Sequence, residues 1–419
     1  MSSSGFTMKR FIVIIFIFVP IFTLESQLAQ LEKIVLYGNT KTDDNVILRE
    51  LQLKERDLFS DTHLLYDRAW LIRQGYFKRV EYQLKPGSTD QQRILMIIVQ
   101  EKGSWSVSPV LSNNDLFGWY VGGRIVRNHL AGKRNQMGIS FQIGGVNQFV
   151  LSWGNPWIGD RLRLFAEMEL SYTAFRYLYG DYDMTPFHLQ KTEMKMTLGR
   201  QFNRELKIGI GTGIERFGVT DPNVTFSGGR VDWLSHAEPF IQFDSRDWPL
   251  YPQKGLFIQV WSTWYGIFQH RRFQYHGMDF RFYSPLYHDN VLAMQTTFEF
   301  SRGEIPVYKR IHLGGGRTIR GYSTGSLPGE NSFLMSLEYR VPILYERNPL
   351  AGVHVGYAGV LFVDTATTWY QNQTMRNDMI RLSVGLGVHV IWDHWIFRAE
   401  YGNHGSGWGF VNLGSGIKF

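Results

Sequence analysis

The chain has 419 residues, 43 glycines, no cysteine and 15% aromatic residues, and its 44 basic against 37 acidic side chains give a formal charge of +7. Without cysteine there is no disulfide framework, thiolate zinc site, thiol nucleophile or lipid-modified N-terminal cysteine. The basic excess is spread along the chain and forms no lysine/arginine cluster with interleaved aromatics, so nucleic acid is not an expected partner.

The mean hydropathy of −0.20 does not by itself argue for a soluble protein. A membrane barrel places apolar residues at every second position and keeps a polar average, and abundant Tyr, Trp and Phe suit its aromatic girdles. At the N-terminus, Met8-Lys9-Arg10 precedes the apolar run Phe11 to Leu24. A basic start and a short apolar core read as a secretory signal peptide, placed at residues 1–29. Pro20 interrupts the run, which is shorter than the roughly 18–20 residues of a spanning helix. An uncleaved anchor is the alternative.

Residues 30–102 predict a small α+β domain. Glu32 to Tyr37 alternates as a strand and ends at the turn signal Gly38-Asn39. Thr42 is placed to cap a helix with Val46, Ile47 and Leu51 on one face. Ser60-Asp61 opens a second helix carrying Leu64, Leu65, Ala69, Leu71 and Ile72, and Gly75 stops it as a C′ residue. Two strands follow, Phe77 to Leu84 and Arg93 to Gln100, around the turn Pro86-Gly87-Ser88.

Residues 103–419 contain no convincing amphipathic helix. Sixteen candidate strands lie near 104–111, 119–128, 136–144, 148–154, 161–173, 190–201, 206–217, 236–246, 255–265, 273–284, 291–302, 332–343, 354–368, 380–392, 395–402 and 408–419. The spacing suits a membrane strand of roughly 9–11 residues with a connection attached. In one of them Leu162, Leu164, Ala166, Met168 and Leu170 share a face, opposite Arg161, Arg163, Glu167 and Glu169. A soluble sandwich would alternate in the same way. Charges recurring on one face and the signal peptide favour a transmembrane β-barrel of about sixteen antiparallel strands, whose closure leaves no lipid-facing backbone unpaired.

Before the expected twelfth strand runs Leu313 to Tyr322, LGGGRTIRGY, in which three glycines lead to Arg317, Arg320, Gly321 and Tyr322. A long glycine-rich loop in an all-strand region is a functional candidate. The last strand puts Val411, Leu413, Ser415, Ile417 and Phe419 on one face, while Gly414 and Gly416 strip the other of side chains and invite a kink. Enzyme signals fail. Gly321-Tyr322-Ser323-Thr324-Gly325 matches a nucleophile elbow, but Ser326-Leu327-Pro328-Gly329 follows where a helix is needed. The Gly314–Gly316 run likewise lacks the helix of a phosphate cradle. The twelve histidines show no metal-ligand spacing, and His389 and Asp393-His394 read as strand and turn residues at a barrel rim. Catalysis, metal and cofactor are not expected.

These residues carry a resemblance. Residues 30–102, with Gly38-Asn39-Thr40 and Gly75-Tyr76-Phe77-Lys78-Arg79-Val80, resemble a POTRA domain. Arg317-Thr318-Ile319-Arg320-Gly321-Tyr322 resembles the Arg-Gly-Phe/Tyr loop of the BamA and TamA family of outer-membrane assembly proteins. Phe243-Asp244-Ser245-Arg246, then Pro252 and Gly255, also fit, and the terminal Phe419 resembles the assembly signal of outer-membrane barrels. The resemblance implies that the loop folds back into the lumen and that its arginine pairs with acids on the next two strands. Glu338, opposite Met335, Leu337 and Tyr339, and Asp364, between outward Leu361 and Val363, are the available acids. A lone inward carboxylate needs a partner, and a guanidinium can bridge two in a fixed fork.

The implied function is folding and insertion of β-barrel proteins into the bacterial outer membrane, with the N-terminal domain in the periplasm receiving extended chains by strand addition. Implied partners are outer-membrane lipids and unfolded outer-membrane protein clients, with periplasmic chaperones or accessory subunits as further candidates. The alternative is a two-partner-type secretion pore, which shares loop and barrel. A passive porin would lack both the soluble domain and the loop. One departure is that family members carry several POTRA domains, whereas residues 30–102 hold one.

Overall fold

The computed structural model describes residues 29–130, 134–159, 162–177, 186–348, 353–392, 395–405, 407–416 and 418–419. The expected signal peptide up to residue 28, Arg161, Asp393-His394 and Ile417 lie outside the described residues.

The N-terminal unit follows the expected order with one addition, a two-residue strand β2. Its elements are β1 (Ala29–Tyr37), α1 (Asp44–Leu48), β2 (Leu58–Phe59), α2 (Asp61–Arg73), β3 (Phe77–Pro86) and β4 (Gln92–Glu101). The sheet order is β2-β1-β4-β3, with β1 parallel to β4. Leu31, Ile47, Leu71, Val80 and Ile97 form its core. Gly38 makes the turn after β1 at φ +86°, where an added Cβ would sit 2.1 Å from the Val99 carbonyl oxygen. The N-cap position of α1 is Asp43, which makes no side-chain cap bond, and not Thr42, which lies one residue earlier with its amide held by Glu101 at 2.8 Å. Ser60 and His63 form a capping box on α2, and Gly75 follows its end at φ +77°.

The buried face of α2 differs from the expected one. Leu65 is exposed, and Asp67 and Trp70 are buried beside Leu64 and Leu71. Asp67 accepts from the Gln52 and Leu53 amides at 2.9 and 3.1 Å, and Trp70 donates to Glu50 at 2.8 Å. A polar residue tolerates burial when its hydrogen bonds are met, and this face is turned toward the barrel.

The expected sixteen strands close into one antiparallel barrel. They begin with β5 (Trp105–Asn114), β6 (Gly118–Leu130), β7 (Asn135–Gly144), β8 (Val146–Ile158), β9 (Leu164–Tyr177), β10 (Phe187–Gln201), β11 (Leu206–Val219) and β12 (Val231–Asp244). Next come β13 (Gly255–Tyr265), β14 (Phe273–Pro285) and β15 (Val291–Gly303). A small hairpin of β16 (Ile311–Leu313) and β17 (Leu327–Gly329) interrupts the wall before β18 (Asn331–Asn348). The wall ends with β19 (Val353–Trp369), β20 (Arg381–Trp392), β21 (Trp395–Asn403) and β22 (Phe410–Ser415). Alternation holds: Met168 and Leu170 are exposed on the outer face, and Glu238 and Thr263 bond each other on the inner one at 2.7 Å.

The N-terminal unit docks on the near rim through side chains of the barrel turns. Arg204 pairs with Asp67 and also donates to the Glu50 carbonyl. Arg134 pairs with Glu50 and donates to Gln74 Oε1. Gln136 donates to the Tyr76 hydroxyl at 3.0 Å. Arg73 pairs with Asp244 at 3.0 Å, whose other neighbour is the expected Arg246 at 2.9 Å. Removing one partner of a buried ion pair strands the other and costs about 3–5 kcal/mol. The double variant Arg134→Ala/Arg204→Ala should therefore undock the domain. Spin labels at Leu65→Cys and Ile158→Cys, in a chain without other cysteines, should change from a narrow to a broad distance distribution; an unchanged distribution would mean the remaining contacts suffice.

Candidate functional site: the lumen loop and the seam

The loop between β15 and β18 turns inward from the far rim and carries Arg320 to full burial. Its guanidinium meets three acids from three strands. Nε and Nη2 form a fork on Asp364 of β19, each at 2.8 Å. Nη1 donates to Glu338 of β18 and to Glu400 of β21, both at 2.6 Å. The Arg320 amide also donates to Asp364 at 3.0 Å, its carbonyl accepts from Ser383 Oγ, and the guanidinium lies 3.5 Å from the Phe362 ring centroid. The two anticipated acids are thus in place, and Glu400 is an unanticipated third. Its signal was readable: Arg398 and Glu400 sit two apart on one strand and so share an inward face.

The neighbouring charges interlock. Glu338 pairs also with Arg340 at 2.8 Å, and Glu400 with Arg398 at 2.7 Å. His389, expected at a rim, is instead buried in the lumen, 3.3 Å from Glu400 and 3.1 Å from the Tyr251 hydroxyl. It is drawn there because β20 turns its odd-numbered residues inward beside the acids.

Gly321 lets the loop backbone lie directly on β21. At φ +85° an added Cβ would come 2.9 Å from the Asn403 nitrogen, and one on Gly402 would come 2.6 Å from the Gly321 nitrogen. Tyr322 donates to the Leu382 carbonyl at 3.2 Å and packs on His404. Arg317 does not join the clamp. It is exposed and lines a groove of about 140 Å³ with Ser112, Asn113, Asn412 and Leu413, so the apparent basic pair is divided between the lumen and the seam.

The seam is where the structure corrects the sequence most. The last strand ends at Ser415, not Phe419. Gly416 adopts φ +80°, and the tail bends into the barrel. Lys418 reaches Asp364 at 2.9 Å and Ser336 at 2.6 Å. Phe419 is fully buried with Tyr283 and Ala293 of β14 and β15, not on the outer face with Leu413. Among the described residues, β22 and β5 share a single register pair, Leu413↔Asn113. Side chains supplement it: Ser112 Oγ donates to the Leu413 carbonyl at 3.0 Å, and Trp395 Nε1 donates to the Val107 carbonyl at 3.2 Å. Gly414 faces Arg398, with room for a Cβ at 3.5 Å, so the kink rests on Gly416.

Charge-assisted bonds are roughly twice as strong as neutral ones, and a lysine cannot reproduce a guanidinium fork. Arg320→Lys and Arg320→Ala should both release the loop. Amide exchange over residues 314–324 should speed up at least tenfold in each variant; unchanged exchange would show that the Gly321–Gly402 packing alone holds the loop.

With this geometry in view, relatives are informative. The Omp85 superfamily domain matches residues 129–404, and the POTRA family, described as a surface antigen variable number repeat, matches residues 29–102. The outer membrane protein assembly factor BamA of Nitratidesulfovibrio vulgaris is 24% identical over 363 residues, covering 82% of this chain and 42% of that protein. The chain therefore spans less than half the length of this relative. Among solved structures, Haemophilus ducreyi BamA lacking POTRA domains 1–3 aligns with a TM-score of 0.61 at 16% identity, covering 93% of this chain and 84% of that one. CdiB from Escherichia coli aligns at 0.67 and 11% identity, covering 93% and 76%. Identities this low speak for the fold alone. A POTRA domain followed by a sixteen-stranded barrel, with the superfamily match covering more than half of the sequence, places the chain in the Omp85 superfamily, with a BamA/TamA-like organisation.

Proposed function

We propose that the protein folds and inserts β-barrel proteins into the bacterial outer membrane, its N-terminal domain lying in the periplasm. The observation that carries this reading is the seam. A closed barrel in lipid should satisfy every backbone group, yet β5 and β22 share one register pair among the described residues, because the tail turns inward at Gly416. An edge of this kind can accept another strand through backbone hydrogen bonds, which bind extended chains with little regard to sequence. The N-terminal sheet offers a second such edge, β3, at the end of its strand order.

The reading needs no catalytic group, nucleotide or metal. The client's own folding supplies the free energy, and the protein lowers the barrier by exposing a pairing edge beside the bilayer. Its partners on this reading are outer-membrane lipids, unfolded barrel clients and whichever periplasmic chaperones or accessory subunits deliver them. A two-partner-type secretion pore is the second reading, favoured by the shared barrel and lumen loop. It requires the lumen to be cleared of the Arg320 loop and of the Lys418–Phe419 tail, both now buried within it.

Three experiments test the proposal. Depleting the protein should lower many outer-membrane barrels together and induce periplasmic stress; loss of one secreted protein with barrels intact would transfer the argument to the secretion pore. Locking the seam by Asn113→Cys/Leu413→Cys, at the one paired position, should block client assembly, with reductant restoring it. Full assembly in the locked protein would sink the seam mechanism. Arg320→Ala should give a correctly located protein with reduced client levels, and normal levels would count against a working role for the loop.

A further inference from the structure

A second feature lies on the outer wall, away from the seam. A slot of about 780 Å³ crosses β11 to β15, lined by Ile208, Pro239, Ile241, Val260, Met278 and Phe298. That is within the roughly 300–1,000 Å³ of small-molecule sites. The slot has a backbone cause. Pro239 has no amide hydrogen to donate to a ladder, and the β12–β13 pairing lapses there, passing from Ala237↔Trp264 to Phe240↔Trp261. On the opposite, lumen side of the wall the Trp261 ring lies against Gly277, where a Cβ would come within 2.2 Å of it, and so backs the slot from within.

Toward the far rim the slot meets a polar rung on the same outward face. Trp264 Nε1 donates to Ser262 Oγ at 2.7 Å, and Ser262 Oγ lies 2.9 Å from His276 Nδ1. An indole N–H can only donate, so the serine accepts from it and shares its second bond with His276 Nδ1. The exposed His276 keeps its other ring nitrogen, Nε2, for a further polar partner. One outward position nearer the rim, Gln274 pairs with Arg302, which is exposed. Trp233 and Trp264, both exposed at this end, mark the aromatic belt at the membrane interface. His276, opposite Ser262, sits just inside that belt, at the depth where acyl chains give way to headgroups. A polar group left unmet there is costly.

We infer that this slot holds one anionic phospholipid of the surrounding bilayer. An acyl chain occupies the slot, a glycerol-ester or phosphate oxygen accepts from His276 Nε2–H, and Arg302 balances the phosphate. The inference rests on the barrel spanning a bilayer and not on which client it handles, so lipid binding and client assembly can fail separately.

The test is native mass spectrometry of the full chain in a non-ionic detergent, titrated with dimyristoylphosphatidylglycerol. One lipid should be retained per chain. Val260→Trp, which fills the slot, and Arg302→Gln, which removes the cation, should each reduce the lipid-bound fraction at least fivefold. Ile139→Trp, on a distant exposed part of the wall, should leave it unchanged. Undiminished binding in both slot variants, an equal loss with Ile139→Trp, or equal retention of uncharged dimyristoylglycerol would overturn the assignment, as would binding of lipid A with none of the phospholipid.

Discussion

A buried guanidinium cannot shed its proton, and it cannot be left unpaired without a large loss of stability. That constraint organises the lumen. Arg320 requires acceptors on every side, and the barrel supplies them from Glu338, Asp364 and Glu400 on three different strands. Arg340 and Arg398 in turn occupy the second oxygens of Glu338 and Glu400, and Lys418 shares Asp364 Oδ1 with Arg320. The loop is thereby fastened to β18, β19 and β21 together, and glycine-to-glycine contact at Gly321 and Gly402 brings its backbone close enough for the clamp to form.

The same cluster reaches the seam. Asp364 binds both Arg320 and Lys418, so the lumen loop and the C-terminal tail depend on one carboxylate. Elsewhere the wall is held by long antiparallel ladders, such as β18 on β19. At the closing junction the chain places its last residues in the interior instead, where Phe419 packs under Arg340 and Tyr283. Closure thus depends on a buried ion pair and a buried ring more than on backbone pairing.

The near rim shows a different balance. The N-terminal domain meets the barrel through polar side chains rather than an apolar face, with Asp67 and Glu50 on the domain answering Arg204 and Arg134 on the turns. Cation–π contacts of Arg204 on Trp70 and Arg49 on Trp157 add area without requiring a greasy surface. Such an interface can separate without exposing a large apolar patch to water.

Much of this was legible in the sequence, and the reason is local. Period-two alternation and turn residues located all sixteen wall strands, because in a barrel each strand has one apolar and one polar face whatever its neighbours are. The inward direction of Glu338 and Asp364 followed from the same parity, as did the stops at Gly38 and Gly75 from the backbone's need for positive φ. What parity could not reveal was which inward groups meet. Glu400 and His389 come from the neighbouring strands β21 and β20 and Lys418 from the tail beyond β22, and parity names them as inward without showing that the loop and tail bring them to one clamp. The tail shows the limit most clearly. Its alternation specified an outward Phe419, but the fold offered a buried acid for Lys418 and an apolar site for the ring, and the freedom of Gly416 let those long-range contacts overrule the local pattern.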